Sequence, residues 1–222
     1  MQKPSIPVTP EGAPFIALCA LATLTFSLLG LIAPALVCLV LTAFVTWFFR
    51  DPVRVLPAET GVVVCPADGK IIGIEALEHA PLLQGKARKV AIFMNVFNVH
   101  VNRTPLAGTV ETVLWSPGRF YSADTDKATL HNEQCALTLR TPEGWRYAMV
   151  QIAGLIARRI VCWAEPGDRL AAGERFGMIR MGSRVDLYLP PEAEILVHVG
   201  QKVRAGESVI AALPERETRP DT

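Results

Sequence analysis

Between Glu11 and Arg50 the chain carries no charged residue. One upright span of a bilayer takes roughly 20 residues, and the run from Pro14 to Phe49 is longer than that. It is a tight fit for two spans. Gly30 and Pro34 divide the run near its middle, where a turn can form. The run therefore reads as a transmembrane α-helical hairpin with two short spans, about 15–29 and 35–49. A single tilted helix or a re-entrant hairpin is the competing reading. Trp47, Phe48 and Phe49, followed by Arg50 and Arg54, have the composition of an interfacial belt with positive charge behind it. That places the rest of the chain on the cytoplasmic side of the cell (inner) membrane. A cleaved signal peptide fits poorly, because the run is long and lacks a basic n-region.

The remainder excludes several function classes. The net charge is +1, and the basic residues are spread out without aromatic interleaving, so nothing suggests a nucleic-acid binder. Five cysteines, none in a CxxC pair, give no zinc-ligand pattern and are expected as free thiols in a reducing compartment. No metal or dissociable cofactor is implied.

From Gly61 onward short β-type runs follow one another, among them "GVVVCP", "KIIGIEAL", "KVAIFMNVFNVHV", "RYAMVQIAG" and "AEILVHVG", punctuated by Gly, Pro, Asn and Asp. The expected fold is a mostly-β barrel or sandwich. Helix is expected there only near "SADTDKATLHNE". The plan is a tail (1–13), a membrane anchor (14–49), a β domain (50–213) and a polar, disordered tail (214–222).

"PGDRLAAGERFGMI" and "VGQKVRAGESVIAA" align, with Gly167 on Gly200 and Gly173 on Gly206. Each copy reads as strand, glycine turn, strand, like the hairpins of biotinyl/lipoyl-type barrel-sandwich domains. No lysine sits in a Met-Lys-Met hairpin for biotin or lipoate.

Between the two copies lies "RFGMIRMGSRVDLYLP", a strand-like stretch with Gly182-Ser183 in its middle. Glycine weakens a strand interior and often marks a bulge or close approach. A serine hydroxyl can also attack the preceding carbonyl where the backbone is strained and a base is near, and glycine leaves that approach open. The amide becomes an ester, β-elimination gives dehydroalanine, and hydrolysis leaves an N-terminal pyruvoyl group. Such a ketone is an electron sink. From the dipeptide alone, an ordinary turn is the better reading.

Four segments change that balance: "CPADGKI" (65–71), "FNVHVNRTP" (97–105), "QIAGLIARRIVCW" (151–163) and "RFGMIRMGSRVDLYLP" (175–190). In this order they closely resemble the phosphatidylserine decarboxylase family, in its short membrane-anchored form. "FFRDPVRVLP" (48–57) is similar to that form's link from membrane to catalytic domain. The resemblance implies self-cleavage between Gly182 and Ser183 into a β chain (1–182) and an α chain (183–222), with Ser183 becoming a covalent pyruvoyl cofactor. The ketone would form a Schiff base with the amine of phosphatidylserine, and loss of CO2 would give phosphatidylethanolamine. A lipid substrate suits an anchored enzyme. A homodimer is also implied.

The resemblance assigns roles as well. Asp68 in "PADGK" is turn chemistry by itself, but the family pairs this aspartate with a histidine to activate the serine. His100 fills the histidine position, as base for Ser183, as proton donor in decarboxylation, or both. Where the longer branch carries a second histidine, this chain has Arg103, which suits the lipid phosphate or the substrate carboxylate. Asn132 and Glu133 match the family's Asn-Glu-Arg segment, with Gln134 in place of the arginine. They are substrate-lining candidates, or a solvated loop. Arg158-Arg159 could meet phosphate or be surface, and His79 and His198 read as bystanders. Arg184 and Asp186 are expected to hold the cleavage strand in register. The rival reading is a membrane-anchored adaptor without catalysis. A decarboxylase of a related serine-bearing lipid is a further alternative.

Overall fold

Sixteen-residue α1 (Ala13–Leu28) and seventeen-residue α2 (Ile32–Phe48) form an antiparallel apolar hairpin in the computed structural model, which describes residues 7–118, 132–154, 159–180 and 183–215. With the short 3-10 turn before it, the first helix is long and apolar enough to cross a membrane, over Pro10–Leu28. The second is a shorter apolar helix. Leu21, Leu24, Leu36 and Val40 all face outward, as an apolar solvent would favour. The reversal is tighter than the sequence suggests. Pro34 sits in the first turn of α2 rather than in the connection, because its missing N–H has no helical partner to lose there. At the open end, Thr9 N–H donates to the Phe49 carbonyl (2.9 Å) and Phe15 stacks on Phe49.

The chain divides into two compact units, 1–53 and 54–222. The second is the β unit, and its strands run in chain order β1 (Val62–Val64), β2 (Gly69–Ala80), β3 (Gly85–Met94), β4 (Val101–Arg103), β5 (Gly108–Ser116), β6 (Gln134–Arg140) and β7 (Arg146–Ile152). Then come β8 (Ile160–Cys162), β9 (Arg169–Leu170), β10 (Arg175–Ile179), β11 (Ser183–Leu189), β12 (Glu194–Ile195), β13 (Lys202–Val203) and β14 (Val209–Ala212). They build a curled eight-stranded sheet, β13-β2-β3-β11-β7-β6-β5-β9, and two three-stranded sheets, β1-β14-β12 and β4-β10-β8. The core draws on all three, with Val63, Ile71, Ile92, Leu137, Phe176, Leu187 and Ile210 in one cluster. This is the mostly-β architecture with an apolar N-terminal hairpin that the sequence implies. All five cysteines are free thiols. The expected helix near "SADTDKATLHNE" and the tail beyond 215 lie outside the described residues.

The sequence repeat is an approximate two-fold of the fold. Gly167 and Gly200 have φ of 96° and 94°, and Gly173 and Gly206 have 72° and 73°, conformations open to glycine at little cost. Their bonds match too. Gly167 N–H donates to Val110 O and Gly200 N–H to Ile71 O, both at 2.8 Å. Gly173 N–H donates to Thr104 O (2.7 Å), and Gly206 N–H to Cys65 O (2.9 Å). The relation extends to "PADG" and "PLAG": Arg103 N–H donates to Pro66 O (2.9 Å) and Val64 N–H to Pro105 O (3.1 Å). Asp68 thus corresponds to Ala107, and the symmetry breaks at a carboxylate.

Candidate active site

The chain leaves the three-stranded sheet after Ile179 and enters the eight-stranded sheet at Ser183. Ser183 therefore opens a strand rather than standing inside one. Ser183 is the first residue of β11, where the ladder of that strand begins. Gly182 itself lies outside the described residues, as does Arg158.

Ser183 is fully buried and pairs with Met94 on β3. Its hydroxyl donates to the Met94 thioether at 3.5 Å, a weak acceptor. Strand alternation puts Ser183, Val185, Leu187 and Leu189 on the inward face. Asn102 on β4 reaches the same sulfur through Nδ2 (3.6 Å), and its Oδ1 accepts from Gln151 Nε2 at 2.8 Å. Ser183, Met94, Asn102 and Gln151 thus form one buried group drawn from four strands.

His100 is buried immediately before β4, and its carbonyl accepts from Ile179 N–H at 3.3 Å. This anchors the histidine segment to the end of β10, from which the chain runs on to Ser183. Asn132 is buried, with Nδ2 donating to Ala153 O at 2.6 Å, and the Glu133 carbonyl accepts from Ala153 N–H at 3.0 Å. Ala153 follows Ile152, the β-partner of Arg184. Both residues therefore brace the chain beside the start of β11.

Asp68 and Arg103 are engaged elsewhere. The Asp68 carboxylate takes two bonds from Arg54 Nη2 (2.8 and 3.0 Å) and one from Ala205 N–H (2.8 Å). Arg54 is thus buried against a carboxylate, and does not serve as the positive charge behind an aromatic belt. Arg103 is buried, with Nη1 donating to Gly173 O at 3.0 Å, and it packs against Gly206. Asp68 borders a cleft of about 570 Å³ shared with Lys70, Phe97, Asn98, Lys202 and Arg204. Lys70 and Phe93 pair across β2 and β3, and Phe93 pairs with Arg184, so the cleft lies at the strand end where Ser183 sits. Burial pushes the neighbouring Cys65 thiol up to about 12, which leaves it a poor nucleophile.

The outward face of β11 carries Arg184 and Asp186, both buried and joined by two bonds of 2.5 and 3.0 Å. Lys89 Nζ lies 3.6 Å from the same carboxylate. Burial raises the Asp186 carboxyl against the pull of both cations. His79 and His198 are exposed.

The sequence does not single out Met94, Asn102 or Gln151, and it points Arg54 to the membrane surface rather than to Asp68. Asn102 was accessible from the sequence, since it stands two residues after His100 in the same extended run. Gln151 also left a trace, as a lone polar residue in "YAMVQIAG". Gly177 shapes the same region: a Cβ there would overlap the Val161 carbonyl and lie 3.0 Å from Gln151 Nε2. Gly177→Ala is therefore expected to destabilise the fold by about 2–3 kcal/mol, read as a lowered unfolding temperature.

The profile of the phosphatidylserine decarboxylase family matches residues 41–211. The chain belongs to that family. The phosphatidylserine decarboxylase proenzyme of Desulfotalea psychrophila is 49% identical over 213 residues, covering 96% of this chain and 100% of that protein. Its counterpart in Nitratidesulfovibrio vulgaris is 53% identical over 211 residues, covering 95% and 97%. That of Oleidesulfovibrio alaskensis is 51% identical over 216 residues, covering 97% and 99%.

Proposed function

We propose that the chain is a self-processing, pyruvoyl-dependent decarboxylase that converts phosphatidylserine to phosphatidylethanolamine and carbon dioxide. The observation that carries this reading is its near full-length kinship with phosphatidylserine decarboxylase proenzymes. The position of Ser183, at the first residue of a central strand, supports it.

The residues present fit a cofactor made from Ser183. Among the described residues its hydroxyl is tied to a thioether alone, so little holds it back from attack. Downstream, β11 pairs with β3 from Ser183 to Leu189 and with β7 from Arg184 to Tyr188. A chain beginning at 183 therefore stays in the middle of the sheet after scission. When formed, the pyruvoyl ketone supplies an electron sink for the bond to the departing carboxylate.

His100 takes the Ser183 proton during processing, returns a proton to the substrate carbon after CO2 leaves, or does both. Asp68, fixed by Arg54 and Ala205, supplies the carboxylate that orients the acid–base machinery. Asn132 and Glu133 line the substrate side, and Arg103 contributes positive charge for phosphate or carboxylate. The α1–α2 hairpin spans the inner membrane, with the β unit in the cytoplasm. A homodimer belongs to the same reading.

The test is an assay of purified full-length protein on phosphatidylserine in mixed micelles. Phosphatidylethanolamine and CO2 are expected in equal amounts. His100→Ala is expected to lower the rate at least about 100-fold. Turnover of a serine-bearing lipid of another backbone in preference to phosphatidylserine would reassign the substrate. No CO2 from any of them would overturn the activity.

A further inference from the structure

Near Ser183 the core holds a polar oxygen without a donor among the described residues. Gln151 on β7 pairs with Val185 on β11. Strand alternation therefore places it on the inward face with Ser183, one diagonal step away and within reach of a long side chain. Gln151 is fully buried. Its Nε2 donates to Asn102 Oδ1, while Asn102 Nδ2 is committed to the Met94 sulfur. These two bonds fix the orientation of both amides and leave Gln151 Oε1 over. That oxygen has no hydrogen-bond partner among the described residues. Such an orphan is costly and uncommon in a native core. Yet Gly177 omits the Cβ that would press to 3.0 Å from this amide.

A donor for this oxygen arises in the reaction proposed above, on which this inference rests. In the acyl shift, Ser183 Oγ bonds to the Gly182 carbonyl carbon and the C–N bond breaks. The hydroxyl proton passes to nitrogen, and the Ser183 amide becomes a primary amine. Loss of the Cα proton then breaks the Cβ–O bond and releases Gly182 as a carboxylate. Water replaces the nitrogen, which leaves as ammonia. The nitrogen thus gains an N–H bond that the amide lacked. We infer that Gln151 is a catalytic residue of self-processing, whose Oε1 accepts a hydrogen bond from the Ser183 nitrogen as it turns from amide into amine. An acceptor already in place, and idle in the precursor, favours the shifted state selectively.

The experiment follows newly synthesised full-length protein by intact mass. Gln151→Met keeps length and bulk but removes the oxygen, whereas Gln151→Glu retains an acceptor. Conversion of Gln151→Met is expected to be at least about tenfold slower than wild type, with Gln151→Glu between them. Gln151→Met in an uncleavable Ser183→Ala chain is expected to unfold within a few degrees of its parent. Gln151→Met merely exchanges one unbonded oxygen, that of Gln151, for another on Asn102. Wild-type conversion by Gln151→Met overturns the inference. So does Gln151→Glu no faster than Gln151→Met, or a loss of thermal stability large enough to account for the slowing. A wild-type chain that never cleaves defeats the processing reading beneath it. A wild-type chain that cleaves while Gln151→Met keeps pace defeats this inference alone.

Discussion

Ser183→Ala is expected to leave a single chain of 24.2 kDa, folded and without decarboxylase activity. The substitution removes one oxygen from a fully buried position and breaks one weak bond to the Met94 sulfur. A neutral hydrogen bond contributes about 0.5–1.5 kcal/mol net, and one to a thioether less. Thermal unfolding should therefore change by only a few degrees. The chemical effect is total, because both nucleophile and cofactor precursor are gone. Denaturing electrophoresis and a CO2 assay read the two consequences separately. Residual CO2 release at more than background would mean that the cofactor does not come from Ser183.

Asp186→Ala is expected to have the largest effect on stability. Removing this carboxylate leaves Arg184 and Lys89 buried without their shared partner. Breaking a buried pair from one side typically costs about 3–5 kcal/mol. For a chain of this size that corresponds to roughly 10 °C in unfolding temperature. Measured in the Ser183→Ala background, the change is free of any contribution from cleavage. Because Asp186 lies three residues from the new terminus, processing should also slow in the otherwise wild-type chain. An unchanged unfolding temperature would show that the cluster does not hold β11 in place.

What could be read from the sequence was whatever repeats at short range. The hairpin announces itself through the absence of charge from Pro14 to Phe49. Its turn is less legible, since Pro34 is equally at home in a connection and in the first turn of a helix. The paired glycines of the repeat are visible because both copies keep the residue that a positive φ favours. The other half of the two-fold is nearly silent: "PADG" and "PLAG" share only proline, alanine and glycine, with the alanines out of step. The group around Ser183 is harder still. Met94, Asn102 and Gln151 come from three strands widely separated in sequence and meet only when the sheets close. Arg54 misleads, because an arginine following an aromatic cluster suits a membrane surface, while the fold uses it to clamp Asp68.

Whether the chain makes its own cofactor is decided by the intact mass of the purified wild-type protein. Two species divided between Gly182 and Ser183 are expected, with the chain 183–222 carrying a pyruvoyl group in place of its N-terminal serine. A single uncut chain of 24.2 kDa that nevertheless decarboxylates phosphatidylserine would contradict this.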